Sequence, residues 1–241
     1  MNSAVTSTHR KVSLTAGVLY VLTFVSIPTF ALYGPVKGAN YVLSAGPDTP
    51  AIAGALLEIA VALAGIATAA TLFPILKRRN ESLALGLVAA RVLESATIFL
   101  GVAFLLTIVT LRQDGGGSGA LGTSHALIAL YDRVFLLGQS FMPAICDLLL
   151  GFLLYTSRLV PRRLAVIGMA GGPTLLVGYL AVLFGAIDQH GVVAGLSALP
   201  VAVFEFSLGV WLIVKGFNPQ AVTALEPAVE RYASAALSPS A

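Results

Sequence analysis

The sequence predicts an all-α fold: a polytopic membrane bundle of six transmembrane helices with both termini in the cytoplasm. Three observations predict it. Of 241 residues, 57% are hydrophobic and 10% charged, whereas a soluble domain carries about 25% charged residues. Six apolar runs follow one another, each longer than the roughly twenty residues needed to cross about 30 Å of hydrocarbon. Lys and Arg alternate between rich and poor connections along the chain.

The first run, Leu14 to Tyr33, follows a basic tail. It lacks a small-residue cleavage site and is long enough to span, so a retained helix is expected rather than a secretory signal. The second and third runs are Ala51 to Leu76 and Leu83 to Leu111, and the fourth is Ala126 to Tyr155. The third and fourth exceed the required length, which implies tilt or a helix emerging beyond the lipid. Between them, Gln113 to Ser124, with Gly115, Gly116, Gly117 and Gly119, reads as a flexible external connector. The last two runs are Leu164 to Ile187 and Val192 to Val214. Pro28, Pro143, Pro173 and Pro200 fall inside runs and mark expected kinks. The three-plus-three layout is one an inverted repeat would take, but the halves share no persuasive sequence match.

Taken in chain order, the tails and loops hold two, one, three, one, three, zero and two basic residues. The alternation places both tails and the second and fourth loops in the cytoplasm, with ten basic residues there against two outside. The domain reading is therefore a cytoplasmic tail over residues 1–13, a six-helix domain over 14–215, and a flexible cytoplasmic tail over 216–241. The net charge of +3 reports orientation, so no nucleic-acid partner is expected. The lipid bilayer is the partner the composition demands, and self-association is left open.

Seven ionisable residues lie within the runs: Glu58, Arg91, Glu94, Asp132, Arg133, Asp147 and Glu205. At roughly 3 kcal/mol for each central charge, they must be paired, protonated, hydrated or close to an interface. Counting about 1.5 Å per residue, Arg91, Glu94, Asp147 and Glu205 share a layer roughly 12 to 17 Å from the cytoplasmic ends of their helices. Glu58, Asp132 and Arg133 form a second layer, about 10 Å below the outer surface. Arg91 and Glu94, three apart, meet on one helix face beside Ser95 and Ile98. At 100° per residue, Arg133, Ser140 and Asp147 fall on one polar stripe with Ala144 and Gly151. Glu58 shares a small-residue face with Gly54 and Gly65, suited to close helix packing. Five carboxylates against two guanidiniums leave an imbalance, so Arg91 is expected to keep one or two partners ionised while another carboxylate holds a proton.

Absences narrow the chemistry. His9, His125 and His190 lie in tails or at mouths, and the single cysteine, Cys146, reads as packing. Haem, zinc and di-iron centres are thus unsupported, as is a Ser-His hydrolase. No lysine is deep enough for a retinal Schiff base, and phosphate-loop, dinucleotide and HExxH motifs are absent. No cofactor and no metal are expected. Three functional classes remain. A small-solute or proton-coupled transporter would use Glu94, Asp147 and Glu205 as proton- or cation-binding groups, Arg91 as counter-charge, and Ser140, Glu58, Asp132 and Arg133 as further polar positions. A structural or accessory subunit would hold the same charges as a dry network. An acid-base enzyme acting on a lipid or quinone would use them for proton transfer.

Four stretches carry a resemblance: GVLYVLTFV from Gly17, AARVLES from Ala89, DLLLGFLLYTSRLVPRRLAVIG from Asp147, and EFSLGVWLIVKG from Glu205. Over roughly Val12 to Phe217 the chain resembles an uncharacterised family of bacterial integral membrane proteins, domain of unknown function 4386. The resemblance implies a six-span fold in a bacterial cytoplasmic membrane and places Arg91, Glu94, Glu205, Trp211, Lys215 and Gly216 in the family's pattern. It implies no activity. At Asp147 the chain departs from the pattern, which has glycine there in many members.

Overall fold

The computed structural model describes residues 3–226. Among them the regular structure is helical throughout. The elements are α1 (Ser3–Thr23), α2 (Thr29–Leu32), α3 (Thr49–Leu76), α4 (Glu81–Gln113), α5 (Ser118–Phe135), α6 (Phe141–Ser157), α7 (Arg162–Leu183), α8 (Val192–Val214) and α9 (Pro219–Leu225). Six segments are long and apolar enough to cross a membrane. They use α1 with α2, then α3, α4, α5 with α6, α7 and α8. Large apolar side chains such as Leu56, Leu63, Leu85, Leu93, Val177 and Val203 project outward from these spans. An exposed apolar surface of that extent suits lipid rather than water.

The spans close into a ring in chain order. α1 packs on α3, α3 on α4, α4 on α5 and α6, α6 on α7, α7 on α8, and α8 back on α1. The seam between α1 and α8 is close because Gly17 and Gly209 face each other at the crossing. A Cβ on Gly17 would lie 2.7 Å from the Gly209 carbonyl oxygen, well inside van der Waals contact. Tyr20, Leu150, Leu153, Phe204 and Leu208 fill the interior of the ring.

Several local features depart from the sequence expectation. The first run is not one helix: α1 ends at Thr23 and a tight turn over Phe24–Ser26 precedes α2. Pro28 lacks the N–H that would continue the ladder. Thr23, Ser26 and Thr29 each donate a hydroxyl to the carbonyl three residues back, at 2.6 to 3.0 Å. At its other end α1 extends back to Ser3, so residues 3–13 continue the first helix rather than forming a separate tail. Arg10 there donates to the carbonyls of Leu212 (3.1 Å) and Ile213 (2.5 Å), groups that the end of α8 leaves without an intrahelical donor.

The glycine connector is shorter than expected. α4 runs to Gln113 and α5 begins at Ser118, leaving only residues 114–117 between them. The 33 residues of α4 make a rod of about 50 Å, well beyond the hydrocarbon thickness. Its last turns and the start of α5 carry a small apolar cap with Val36, Tyr41 and Val42 from the first loop. The extra length thus packs against the first loop. The fourth span is also interrupted: a π-helical turn over Leu136–Ser140 separates α5 from α6, just before Pro143, whose missing N–H frees a carbonyl at that point. The fifth span stops at Leu183 rather than Ile187.

Beyond the sixth span, Pro219–Leu225 forms α9, and its Ala221 and Val222 pack into the main core. This part of the expected flexible tail is therefore docked, and residues 227–241 lie outside the described residues. Arg10 of α1, the turn after α3, the loop between α6 and α7, and α9 all meet at one end of the ring, through Arg10 with Leu212 and Ile213, His9 with Glu226 at 3.9 Å, and Asn218 donating to Leu159 at 2.8 Å. The basic-rich connections of the sequence share that end.

Candidate functional site

Arg91 and Glu94 leave α4 from one face, because three residues turn a helix by nearly a full circle. The guanidinium of Arg91 lies 3.0 Å from Glu94 Oε2 and reaches Glu205 Oε1 of α8 at 2.5 Å. α4 and α8 are not neighbours in the ring, so the arginine crosses its interior. Arg91 is 5% exposed. Its guanidinium carbon sits 5.9 Å from the centre of the Tyr20 ring of α1, near the limit for a cation–π contact. From α6, Cys146 donates its thiol to Glu94 Oε2 at 3.7 Å. Four helices therefore converge on one guanidinium, about 15 Å along α4 from its first residue.

Asp147, next to Cys146, is fully buried, and neither carboxylate oxygen has a hydrogen-bond partner. It lies within electrostatic range of Glu205, Arg91 and Glu94. Ser140, seven residues earlier and also buried, has a hydroxyl without a partner. Ser140, Ala144, Asp147 and Gly151 are all buried on α6 and its entry, as the stripe expected. Arg133 does not join them: it is exposed. The π-helical turn lies between Arg133 and Asp147 and winds more residues per turn, so a phase counted at 100° per residue slips across it.

The second layer divides in the same way. Glu58 of α3 is 2% exposed and fully bonded. Tyr33 donates to its Oε2 at 3.2 Å, while Tyr131 (3.1 Å) and Gln139 (3.3 Å) donate to Oε1. Gly54 makes this possible, because a Cβ there would lie 2.6 Å from the Tyr33 ring. The small-residue face expected for helix packing thus seats a tyrosine that bonds Glu58. Asp132 is not in this cluster. It pairs with Lys37 of the first loop at 2.6 Å, approaches His190 of the fifth at 3.9 Å, and its backbone carbonyl accepts from Gln189 at 3.0 Å. Loop partners put Asp132 at the mouth of the bundle rather than about 10 Å below it.

The family model described as domain of unknown function (DUF4386) matches residues 15–216. The chain belongs to that family. No curated protein and no solved structure matches it. For this DUF4386 chain, the matched span contains every residue of both polar clusters.

Sequence reasoning brought Arg91, Glu94, Asp147 and Glu205 to one level and missed five partners in the two clusters: Tyr20, Cys146, Tyr33, Tyr131 and Gln139. Tyr20 and Cys146 sit inside apolar runs with nothing to separate them from core residues. Tyr33 closes the first run and Tyr131 lies inside the fourth, although a tyrosine buried in a membrane protein needs a partner for its hydroxyl, which was the available signal. Among the described residues, no three His, Cys, Asp or Glu side chains gather as a metal-ligand set.

Proposed function

We propose that this multi-pass membrane protein moves a proton, or a small solute or cation together with a proton, across a bacterial cytoplasmic membrane, with both termini inside. The observation that carries the reading is Asp147. Three carboxylates surround one guanidinium. Glu94 and Glu205 occupy it, and Asp147 is left buried with no donor and no contacting counter-charge. An ionised carboxylate in such a position is costly, and the group is relieved by taking a proton or a cation. Release and rebinding of that proton or cation would make a transport cycle. Helix interruptions beside the centre supply places to bend, with the π-helical turn and Pro143 before Asp147 and Pro200 before Glu205. The sorting of basic residues to the end where α1 and α9 meet supports the orientation.

The test is proton uptake into proteoliposomes under an imposed potential, read with an internal pH dye. The expected result is a flux in wild-type protein that Asp147→Asn reduces to the level of empty vesicles. Alongside it, single cysteines at Ser140 and Ala144 in a Cys146→Ala background report access of a membrane-impermeant maleimide. Gly151 is unsuitable for this, because a side chain there would press on the Ala165 carbonyl at 3.0 Å. Labelling at either position supports a hydrated path. No flux, together with protection of both positions while loop cysteines react, would sink the transport reading in favour of a structural network.

A further inference from the structure

A separate feature lies at the basic end of the bundle, away from the buried centre. The loop between α6 and α7, the last turn of α8 and the start of α9 line an open cavity of about 480 Å³. Arg158, Arg162 and Lys215 line it, with Trp211 and Asn218. Its apolar wall includes Phe217, a member of the main core.

Three properties describe what fits. First, the charge is one-sided: no carboxylate lines the cavity, and the acidic residues described at this end, Glu81 and Glu226, lie outside it. Second, the cations are held on a folded frame. Arg158 ends α6 in a left-handed conformation, φ 59°, and Arg162 stacks 4.9 Å over the Tyr155 ring. Stacking occupies the face of a guanidinium and leaves its in-plane N–H groups for a planar or tetrahedral oxyanion. Third, the level is that of the membrane surface. Trp211 sits one turn before the end of the last span, where an indole favours the headgroup region.

We propose that this cavity binds the headgroup of an anionic phospholipid. The phosphate is held by Arg158, Arg162 and Lys215, and the apolar wall with Trp211 faces the glycerol and the first methylenes. Charge complementarity selects an anion, and the position at the edge of the hydrocarbon selects one that is attached to acyl chains.

Trp211 is the chain's single tryptophan, so its fluorescence reports on this cavity alone. The experiment reconstitutes the full chain in phosphatidylcholine vesicles and compares quenching by brominated phosphatidylglycerol and brominated phosphatidylcholine at equal mole fractions. The expected result is stronger quenching by the anionic lipid, with the preference falling about fivefold for each of Arg158→Gln, Arg162→Gln and Lys215→Gln. A control variant removes one charge at the same end but outside the cavity, at Lys11, Lys77 or Arg79, and leaves the preference intact. Arg158→Lys with Arg162→Lys retains most of it, which separates charge from loss of folding. Equal quenching by the two lipids overturns the proposal. So does equal loss of preference in the control variant, which would mean general surface attraction. Quenching that inorganic phosphate abolishes at millimolar concentration would also overturn it, since the ligand would then be free phosphate rather than lipid.

Discussion

Arg91 illustrates how a single buried charge organises its surroundings. Its two carboxylates come from different helices, so the guanidinium ties α4 to α8 across the ring while Tyr20 covers one side. Removing one partner of a buried ion pair leaves the other charges uncompensated, at a cost of about 3–5 kcal/mol. Arg91→Gln is therefore expected to lower the thermal midpoint of the detergent-solubilised protein substantially. Arg91→Gln combined with Glu94→Gln and Glu205→Gln, which removes all three charges, recovers much of the loss. Thermal unfolding followed by circular dichroism separates the two cases, and equal destabilisation in both would mean that packing around the residue, rather than charge, is what matters. The contrast with Glu58 is instructive. Glu58 has three donors from Tyr33, Tyr131 and Gln139, whereas Asp147 has none, although both lie on spans and both are buried.

At the scale of elements, the end of the bundle opposite the basic loops is held by a small polar knot rather than by apolar packing alone. Asp48, just before α3, accepts from Tyr41 at 2.5 Å and from Gln113 at 2.9 Å, with Arg112 at 2.5 Å. Arg112 also donates to the Gly46 carbonyl and stacks over the Tyr41 ring at 4.3 Å. The hydrogen bonds from Tyr41 and Gln113, with the Arg112 charge beside them, hold the Asp48 carboxyl below its ordinary value. Burial, together with the hydrogen bond to Asp48, pushes the Tyr41 hydroxyl up to about 12. The sign for Asp48 is that of a depressed acid: its contribution is present above the ordinary value of 3.8 and is lost as pH falls through the lower folded value. Protection of the amides in the first loop and the end of α4 from hydrogen exchange, taken relative to the intrinsic rate at each pH, is expected to fall below about pH 4 in wild type. In Asp48→Asn that protection is expected to be low already at neutral pH and to change little with acid. A wild-type loop indifferent to acid would mean that the apolar cap of Val36, Tyr41 and Val42 suffices without the knot.

Across the whole molecule, the two ends of the ring differ in charge. One end gathers Arg10, Lys77, Arg79, Arg158, Arg162, Arg163 and Lys215, while at the other end Lys37 and Arg112 are each paired with an aspartate. Basic residues are retained on the cytoplasmic side during insertion. Cysteines placed after α9 and in the Asp114 to Gly117 turn are therefore expected to react with an impermeant maleimide from opposite faces of intact cells, the turn from outside. Reaction of both from one face would contradict the six-span crossing, and reaction of the tail from outside would reverse the orientation.

What the sequence determined by itself is whatever adds up along the chain. Hydropathy summed over twenty residues marks six spans, basic residues summed by loop sort the two ends, and rise per residue places Arg91, Glu94, Asp147 and Glu205 at one depth. The i,i+3 contact of Arg91 with Glu94 was legible for the same reason, since both residues ride on one uninterrupted helix. What only the tertiary structure decided depends on how separate helices are rotated against one another. The π-helical turn at Leu136–Ser140 shifts phase in the middle of a span and sends Arg133 outward. Gly54 admits the Tyr33 ring from a different segment, and Tyr20 and Cys146 reach the Arg91 centre from helices far away in sequence. Whether a buried carboxylate finds a donor is settled by that rotation, which is why Glu58 and Asp147 read alike in the chain and differ in the fold.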